Sequence, residues 1–501
     1  MNKSQKSVNT AVSSITLTLI NGIFGLVVTK LIISNYGSDF NGLNSTVNQF
    51  INMLLIVEGG FTLATNVSLF KPLSEKNYKL INGIMSATKN NFIKIGIVFL
   101  AIGIITSIIY SMVVKSELPR EIAILTFLMT VISTAFNLMY ATKYQILLQT
   151  EQREYILNFI KIGTLLLSQL LIILIVFLQG HMLLVRFVTM VGAILNSLLI
   201  GYICRKYYKF LDFKVKPNYT EITGTKDVFV QKFTSMIYSS VPIIFISITV
   251  GTMYASVYAI YNNVFTLLKS VIYSFINAPS MGFGKLIAER EKKYVLKMFL
   301  QYEFIVNNVV LCILSTATVL IMPFISIYTK GISDIEYKNL FLAFLLISIT
   351  FFEIIHIPSG NIINMSGNFK VGKKIQSISS IVLIIGMIIG NLLFGLYGIL
   401  VSILITAILL AILEISYAHN IYFKNASIDF FRILLPHTIL VIIIIYFERM
   451  LLPTIEGYLQ FLLAGIIIMI INGGMLFIFN IIINRRITIE VLNRFRGLIV
   501  K

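Results

Sequence analysis

The chain has 501 residues, of which 57% are hydrophobic and only 12% are charged, and its mean hydropathy is +0.89. Because soluble domains carry about a quarter charged residues, this composition excludes a water-soluble fold and indicates that lipid surrounds most of the apolar surface. Lys and Arg outnumber Asp and Glu by 40 to 21. In a membrane protein such an excess concerns orientation in the bilayer rather than binding to nucleic acid.

Apolar runs long enough to cross a bilayer follow one another along the chain. Crossing about 30 Å of hydrocarbon takes about 20 helical residues. The runs are apolar on all faces, whereas the strands of membrane barrels alternate polar and apolar residues, so we predict α-helices. The run after the polar N-terminus is too long for a signal-peptide core, so we expect it to be retained as the first span. The fourteen predicted spans are 8–34, 40–68, 92–114, 121–148, 155–178, 182–203, 228–252, 254–284, 298–327, 338–365, 375–394, 398–421, 432–452 and 458–483.

The distribution of basic residues tests this number of spans. With alternate loops assigned to the cytoplasm, starting at the N-terminus, the cytoplasmic segments hold 31 of the 40 Lys and Arg. A missed or invented span would reverse every later loop and remove this asymmetry. We therefore predict an even number of spans with both termini in the cytoplasm. The loops assigned to the outside hold Lys115, Arg120, Lys330, Lys338 and Arg449.

The longest polar break divides the chain after the sixth predicted span. Residues 37–76 align without gaps over 251–290, and both segments run from outside to inside, which favours a parallel six-plus-six duplication. We predict an N-terminal lobe at 1–203, a cytoplasmic linker at 204–227, a C-terminal lobe at 228–421, and a terminal helix pair with a cytoplasmic tail at 422–501. The eight identities are Gly37/Gly251, Asn48/Asn262, Leu54/Leu268, Val57/Val271, Phe61/Phe275, Ala64/Ala278, Lys71/Lys285 and Glu75/Glu289.

Basic residues at membrane depth are the first candidates for a functional site, because such charges are costly and usually face a cavity. Lys269 lies near the middle of its span, too far from either surface to snorkel, and we predict that it meets an anionic substrate. A buried pair with a carboxylate on a neighbouring helix is the alternative. Lys30 lies about one turn from the outer end of the first span, where snorkelling is cheap. Arg186 and Lys143 lie close to span ends and are predicted to be interfacial anchors. The alternative for Arg186 is that it lines the outward-facing mouth of a cavity.

Acidic residues at membrane depth are candidates for ion coupling or charge pairing. Glu58, within Glu58-Gly59-Gly60, is a candidate counter-charge for Lys269 or Lys30. Glu353 and His356 are three residues apart and are predicted to share a helix face. Such a pair either carries a proton or is a buried pair in which the two side chains satisfy each other's hydrogen bonding. Glu414 lies near a span end, and we expect a structural role for it.

The sequence contains none of the patterns that are typical of a soluble enzyme's site. It has no phosphate-binding glycine loop, its four histidines are scattered, and its two cysteines lie far apart. We therefore predict no catalytic residues, no metal site and no cofactor, while coupling to H⁺ or Na⁺ stays open.

Three local motifs resemble the polysaccharide-repeat-unit flippases of the multidrug/oligosaccharidyl-lipid/polysaccharide (MOP) exporter superfamily. They are Tyr36-Gly37-Ser38-Asp39-Phe40-Asn41-Gly42-Leu43, then Glu58-Gly59-Gly60, then Lys71-Pro72-Leu73-Ser74-Glu75-Lys76. The span count, the two six-helix lobes and the terminal pair resemble that superfamily over the whole chain. The resemblance implies an all-α membrane fold like that of the MATE transporters and lipid II flippases, with a central cavity and alternating access.

The implied cargo is an oligosaccharide on undecaprenyl pyrophosphate, moved from the inner to the outer leaflet of a bacterial plasma membrane. In the related lipid II flippases, cationic residues of the first, second and eighth spans engage the pyrophosphate, and Lys30 and Lys269 fall on the first and eighth spans here. The second span carries Glu58 instead, which favours a lipid-linked sugar other than lipid II. Expected partners are membrane lipids and the glycan polymerase and glycosyltransferases. Candidate polar cavity walls are Asn48, Asn66, Tyr258, Tyr261 and Asn262.

Other functions remain open at this point. A multidrug antiporter driven by Na⁺ or H⁺ would use Glu58 or Glu353, and a lipid II flippase would use the same two lysines. A non-transporting membrane scaffold would tolerate substitutions in the cavity but not in the basic loop at 204–227. A membrane glycosyltransferase is disfavoured, because no predicted outer loop exceeds about a dozen residues.

Overall fold

Helices account for nearly all regular structure in the computed structural model of this protein, which describes residues 3–58, 60–219 and 226–499. No strand occurs within these ranges. The helices up to residue 249 are α1 (Lys3–Leu54), α2 (Phe61–Ser74), α3 (Tyr78–Val113), α4 (Arg120–Phe136), α5 (Thr142–Thr150), α6 (Glu154–Phe177), α7 (Met182–Tyr207) and α8 (Lys226–Thr249). Those that follow are α9 (Thr252–Glu289), α10 (Lys292–Tyr328), α11 (Leu340–Ile355), α12 (Ile357–Met365), α13 (Phe369–Ser416), α14 (Ile428–Leu451), α15 (Tyr458–Ile483) and α16 (Arg485–Ile499).

The described residues of the predicted spans lie almost entirely on these helices and on the 3₁₀ and π-helical turns that join them. Within the described residues, ten helical segments are long and apolar enough to cross a membrane. One of them, Phe369–Phe423, contains two predicted spans, and another, Val8–Glu58, contains the first predicted span and the beginning of the second. The seventh and eighth predicted spans lie on α8 and α9. The all-α, multi-pass membrane fold is confirmed, and the count of fourteen crossings stays a prediction.

Glycine allows two of the long helical segments to bend sharply. Gly37 (φ 85°, ψ 165°) interrupts α1 and Gly395 (φ 55°, ψ −131°) interrupts α13, in regions of backbone conformation that side chains with a Cβ rarely adopt. Next to the second bend, Gly390 and Gly398 approach so closely that a methyl group on either would overlap the backbone carbonyl of the other. Gly37 therefore lies between the first and second predicted spans, and Gly395 lies close to the boundary between the eleventh and twelfth.

The chain forms two compact units, Met1–Ala259 and Ile260–Lys501. The first unit includes the beginning of α9, because that turn packs on the middle of α1. The Asn41 Nδ2 donates to Ser256 Oγ at 2.7 Å, and a Cβ on Gly42 would overlap the Thr252 carbonyl. The lobe boundaries at 204–227 stay a prediction. The aligned glycines Gly37 and Gly251 both have positive φ, and the duplication itself also stays a prediction.

The predicted linker is docked along part of its length. Asn82 of α3 donates to the Phe210 carbonyl at 2.9 Å and accepts from the Asp212 amide at 3.2 Å. The Asn218 amide donates to the Gly83 carbonyl at 3.0 Å. Residues 204–207 still belong to α7, and residues 220–225 lie outside the described part, as does Gly59. From 208 to 218 the segment is held on the first unit by amide and backbone hydrogen bonds.

Candidate functional site

A cavity of about 610 Å³ lies in the first unit. Its walls come from the segment that ends α1, from α2, and from α4 and α5 with the π-helical turn Asn137–Ala141 between them. Most of the lining side chains carry amide or hydroxyl groups. The lining residues are Glu58, Gly60, Thr62, Leu63, Asn66, Asn137, Leu138, Thr142, Gln145, Ile146 and Gln149.

Local backbone irregularities aim these polar groups into the cavity. A 3₁₀ turn at Leu55–Glu58 precedes Gly60, whose φ of 80° starts α2 in a new direction. The Glu58 carboxylate then accepts from the Thr62 amide at 3.3 Å, at the N-terminus of that helix, where the helix dipole favours negative charge. On the facing side, the π-helical turn at Asn137–Ala141 changes the phase of the side chains between α4 and α5; such turns are frequent at functional sites.

The cavity contains both donors and acceptors. Amide side chains offer two N–H donors and a carbonyl acceptor each, and the walls include four of them. Asn66 Oδ1 accepts from Thr150 Oγ1 at 2.7 Å, and Asn137 Nδ2 donates to Ser197 Oγ at 3.0 Å. Each of these two side chains therefore keeps part of its hydrogen-bonding capacity for a ligand. The arrangement suits a polar, uncharged ligand with many hydroxyl groups.

Sequence reasoning found two of the cavity residues and missed the others. Glu58 and Asn66 were predicted site residues, and both line the cavity. Asn137, Gln145 and Gln149 were not predicted, although polar amides inside an apolar span were a visible signal. That signal could not be used without the phase shift at the π-helical turn, which decides the direction in which these side chains point.

Lys269 forms an ion pair. Its Nζ lies 3.0 Å from Glu353 Oε2 of α11, and the two side chains are 18% and 16% exposed. The counter-charge of Lys269 is thus Glu353, rather than the other candidate, Glu58. The pair remains within reach of a ligand, because neither side chain is fully buried.

The expected pairing of Glu353 with His356 is wrong. His356 ends α11, and α12 begins immediately after it with Pro358 in its first turn. This break turns the imidazole away from Glu353, and its Nδ1 lies 2.8 Å from Glu414 Oε2 of α13. Glu353 and His356 are therefore three residues apart in the sequence but contact different partners, Lys269 and Glu414.

A second glutamate–histidine pair was missed altogether. Glu303 of α10 lies 3.0 Å from His419 Nε2, in the π-helical turn Tyr417–Phe423. The Ser359 hydroxyl donates to the same carboxylate at 3.1 Å. The His419 ring is fully buried, and Glu303 is 3% exposed.

The interfacial role predicted for Arg186 and Lys143 is wrong, because both side chains are buried. The Arg186 guanidinium donates to the Asn44 side-chain oxygen, to the Asn44 carbonyl at 2.9 Å, and to Asn48 Oδ1 at 3.5 Å. Lys143 folds back on its own helix and donates to the Tyr140 carbonyl at 2.5 Å, in the π-helical turn. Amide and backbone oxygens, rather than the membrane surface, accept the hydrogen bonds of these two cations.

The remaining predicted residues do not gather at one place within either unit. Tyr261 is buried and its hydroxyl donates to the Tyr337 carbonyl at 2.8 Å, which is a packing role. Tyr258 is also buried. Lys30 and Asn262 are half-buried, and Asn48 is exposed. Their predicted roles stay predictions.

Asp39, in the Tyr36–Leu43 motif, joins three segments of the first unit. Its carboxylate accepts from Ser116 Oγ at 2.9 Å, from the Glu117 amide at 2.7 Å, and from the Thr252 hydroxyl. The Thr252 amide in turn donates to the Lys115 carbonyl at 3.0 Å. The motif thus fastens the bend at Gly37 to the turn between α3 and α4 and to the start of α9.

No group of three or more metal-binding side chains occurs in the part of the chain that the structure describes. The described candidate groups are the amides and hydroxyls of the cavity and the buried Arg186 in the first unit, and the Lys269–Glu353 ion pair with the two glutamate–histidine pairs in the second.

Solved structures of three membrane transporters are similar to this chain. The lipid II flippase MurJ in an inward closed conformation has a TM-score of 0.68 and 18% identity, over 93% of this chain and 99% of its own. An inward-facing multidrug resistance MATE transporter of the MOP superfamily has a TM-score of 0.65 and 14% identity, over 83% of this chain and 98% of its own. A MATE structure in the bent conformation has a TM-score of 0.56 and 13% identity, over 85% and 96%.

These likenesses define the class of fold. The chain has the fold of the MOP superfamily transporters, so the expected likeness to that superfamily is confirmed at the level of the fold. No protein-family profile matches the sequence, and no curated protein sequence matches it.

Proposed function

We propose that this protein is a flippase that moves an undecaprenyl-pyrophosphate-linked oligosaccharide from the inner to the outer leaflet of a bacterial plasma membrane by alternating access. The observation that carries the proposal is the amide-lined cavity of the first unit. The transported oligosaccharide would supply a surface polysaccharide. Glycosyltransferases would act before the flippase, and a glycan polymerase would act after it.

The sugar is assigned to the cavity of the first unit. Sugar hydroxyls both donate and accept hydrogen bonds, so they require walls with both kinds of group. Asn66, Asn137, Gln145 and Gln149 provide such walls. A cavity built only for an apolar drug would not need four amides.

The diphosphate is assigned to Lys269 of the second unit, and the role expected of Lys30 stays a prediction from the sequence. Because Lys269 is paired with Glu353 at 3.0 Å, an incoming diphosphate competes with that carboxylate for the ammonium group. Charge-assisted hydrogen bonds of this kind are strong, so the diphosphate displaces the carboxylate only by forming equally strong ones. The exchange releases the Glu353 carboxylate whenever the anion is bound.

The polyprenyl chain is assigned to an apolar groove of about 460 Å³ in the second unit. The groove lies between α9, α10, α15 and α16, and thirteen of its sixteen lining residues are apolar. A chain of isoprene units seated there would remain in a hydrocarbon environment while the polar headgroup crosses the membrane.

A multidrug antiporter remains a second candidate, because Glu58 places one carboxylate in the cavity. A carboxylate in a polar cavity binds cationic drugs as readily as it binds sugar hydroxyls. This candidate predicts that a deletion strain becomes sensitive to cationic dyes while its surface glycan stays intact. The flippase proposal predicts loss of the glycan with unchanged dye sensitivity.

A paired substitution tests the flippase proposal in cells. Lys269→Ala is expected to abolish surface glycan and to cause lipid-linked precursor to accumulate inside the cell, at unchanged protein level. That single variant also strands Glu353, so the double variant Lys269→Ala with Glu353→Ala removes both charges together. If Lys269 binds the diphosphate, the double variant stays inactive; recovery of glycan export in it would contradict that role.

The cavity is tested separately. Gln145→Leu combined with Gln149→Leu is expected to reduce glycan export by roughly thirtyfold, because two ligand hydrogen bonds of about 1 kcal/mol each are lost. Gln460→Leu, which changes an exposed glutamine outside the cavity, is the matched control and should behave as wild type. Full export by the cavity variant would remove the sugar from this site.

A further inference from the structure

A groove of about 520 Å³ lies between three helices of the second unit. The helices α11 and α14 both pack against α10, and α10 contributes Thr318 to the groove between them. Seven of the nine lining residues are apolar, and the two others are Thr318 and Arg449. This groove shares no lining residue with the one that we assign to the polyprenyl chain.

The groove begins at the level where two membrane-crossing segments end. Leu340 is the first residue of α11, and Arg449 lies in the last turn of α14; the segments that contain these helices are long and apolar enough to cross a membrane. From there the walls follow α11 as far as Ile347 and α14 as far as Ile442. Seven residues of helix correspond to about 10 Å. The groove therefore runs from the end of the apolar segments into their interior.

A tyrosine marks the same level on a neighbouring helix. The ring of Tyr397, on α13, lies 5.2 Å from that of Phe341, a residue of the groove wall. Asn339 Nδ2, in the loop before α11, donates to the Tyr397 hydroxyl at 2.6 Å. Tyrosine is enriched where a membrane helix meets the aqueous interface, because its ring is apolar and its hydroxyl is polar. The upper end of the groove thus has the character of a membrane interface.

Arg449 places a positive charge at this upper end. Its Nη2 donates to the Thr318 carbonyl at 2.9 Å, which holds the guanidinium at the groove and uses one of its five N–H groups. Within the described residues no carboxylate pairs with it. The neighbouring Glu448 is turned toward α15, where its carboxylate accepts from Asn472 Nδ2 at 3.4 Å. The exposed guanidinium therefore keeps donors for an anion.

A phosphate attached to a hydrocarbon chain matches this arrangement. A guanidinium binds phosphate through two parallel hydrogen bonds, and basic pockets between membrane helices bind anionic lipid headgroups. The apolar walls below Arg449 then take the first part of the chain. A polyprenyl chain is several times longer than the groove and would leave most of its length outside, so the dimensions favour the acyl chain of a phospholipid.

We propose that this groove binds one anionic phospholipid of the bilayer, with its phosphate on Arg449 and one acyl chain between α11 and α14. The bound lipid joins these two helices across a space that their own side chains leave open, and it stabilises the second unit. This lipid is a structural ligand and not the transported one. The proposal therefore goes beyond the proposed function and holds whichever substrate the chain transports.

The test uses tryptophan fluorescence, because the chain contains no tryptophan of its own. Phe344→Trp places a reporter on the wall of the groove. Phe177→Trp places one at the end of α6 in the first unit, where the side chain is 83% exposed. The full chain is reconstituted into liposomes that mix phosphatidylglycerol with phosphatidylcholine, one of which carries bromine on its acyl chains and quenches tryptophan on contact. Varying the mixture gives the relative binding constant of the two lipids at each reporter.

The groove reporter is expected to prefer phosphatidylglycerol about tenfold. Both headgroups carry a phosphate, but the choline cation offsets its charge, so the charge-assisted contact with Arg449 favours the anionic lipid. Arg449→Gln in the Phe344→Trp background should remove the preference. Arg432→Gln is the matched control on the same helix, because Arg432 is exposed and pairs with Asp429 at 3.4 Å. The preference should persist in this control and be absent at Phe177→Trp.

Three results of this experiment would overturn the proposal. Equal quenching by the two lipids at Phe344→Trp means that the groove holds bulk lipid without selecting its headgroup. An equal preference at Phe177→Trp assigns the effect to the basic protein as a whole, and a preference that survives Arg449→Gln assigns the headgroup to another residue. Undecaprenyl phosphate is added as a competitor at a small mole fraction. Relief of quenching by this competitor would give the groove to the carrier lipid.

A second measurement covers a loss of stability in Arg449→Gln. In detergent, added phosphatidylglycerol should raise the unfolding temperature of the wild type more than added phosphatidylcholine does, because a ligand that binds only the folded state stabilises it. Arg449→Gln should gain equally from both lipids. Each protein is compared with itself, so a lower starting stability of the variant does not affect the result. An equal gain from both lipids in the wild type would contradict the proposal. Neither measurement involves transport, so failure of the flippase function leaves both of them decisive.

Discussion

Arg186 is a cation buried among amides. Its hydrogen bonds go to the side chain and backbone of Asn44 and to the side chain of Asn48. Because these acceptors are neutral, they do not compensate the positive charge of the guanidinium, and an uncompensated charge inside a membrane is costly. Asn44 is therefore the residue on which the stability of this contact most depends.

Substitutions of Asn44 test this view of Arg186. Asn44→Ala removes the side-chain oxygen that accepts from the buried Arg186 Nε and is expected to lower the free energy of unfolding by about 1.5–3 kcal/mol. Asn44→Asp supplies a negative charge at nearly the same place and should be at least as stable as wild type. Thermal unfolding of the purified protein in detergent measures both. Equal destabilisation by Ala and Asp would mean that the charge of Arg186 is already compensated.

Residue-level chemistry could be read from the sequence only in part. Lys269 was recognised because a lysine in the middle of an apolar span is exceptional. Its partner, Glu353, is 84 residues away, and Glu414 is 58 residues from His356. Glu303 and His419 were missed, because each lies near the end of a predicted span and looks unremarkable alone. Pairing across such separations depends on which helix faces meet, and a sequence pattern does not specify that.

At the scale of the element, α16 is more than the cytoplasmic tail that the sequence predicted. Glu490 of this helix accepts from Lys297 at 2.9 Å and from Gln301 at 2.8 Å, both at the start of α10. The Arg494 guanidinium donates to Gln301 at 3.1 Å. The helix is thus fastened to α10 by polar contacts, beside the apolar groove that its other face helps to line.

The contact between α16 and α10 is expected to weaken in acid. The hydrogen bond from Lys297 lowers the pKa of Glu490 below its usual value. Because the pKa is lower in the folded state, the carboxylate stabilises docking above the ordinary glutamate pKa of about 4.3, and this contribution is lost as the pH falls through the folded-state pKa. A nitroxide label on Asn493→Cys should become more mobile between neutral pH and about pH 3.5.

Glu490→Gln is the matched control for this transition. The variant keeps the shape of the side chain but cannot ionise, so label mobility should be higher at neutral pH and independent of acid. A transition of the same size in Glu490→Gln would assign the acid effect to another group.

Helix positions were predictable because lipid demands them. Every predicted span lies on a helix, since a backbone in hydrocarbon must satisfy its own hydrogen bonds. The interruptions within helices were less predictable. Pro358 is a sequence signal for the break after α11, but the π-helical turns at Asn137–Ala141 and Tyr417–Phe423 have no comparable signal. These turns set the directions of Asn137 and His419.

At the scale of the whole molecule, the excess of basic residues in alternate loops predicts the orientation of the chain in the membrane. This orientation is tested with a membrane-impermeant maleimide and two exposed serines, Ser333 and Ser74. Ser333→Cys, in the loop between α10 and α11, should react in intact cells. Ser74→Cys, at the end of α2, should react only after the cells are opened. Reaction in the reverse order would invert the assigned topology, and labelling of both sites in intact cells would contradict the span count between them.

The sequence by itself determined that the chain lies in a membrane, that it is helical, and where its helices run. Apolar length and charge asymmetry are local properties, and the bilayer acts on each segment separately. Only the tertiary structure decided which polar groups meet: the amide-lined cavity, the pairing of Lys269 with Glu353, and the two buried glutamate–histidine pairs. The physical reason is that in an apolar interior each polar group takes whichever partner the packed helix faces bring within hydrogen-bond distance, however far apart the two lie in the chain.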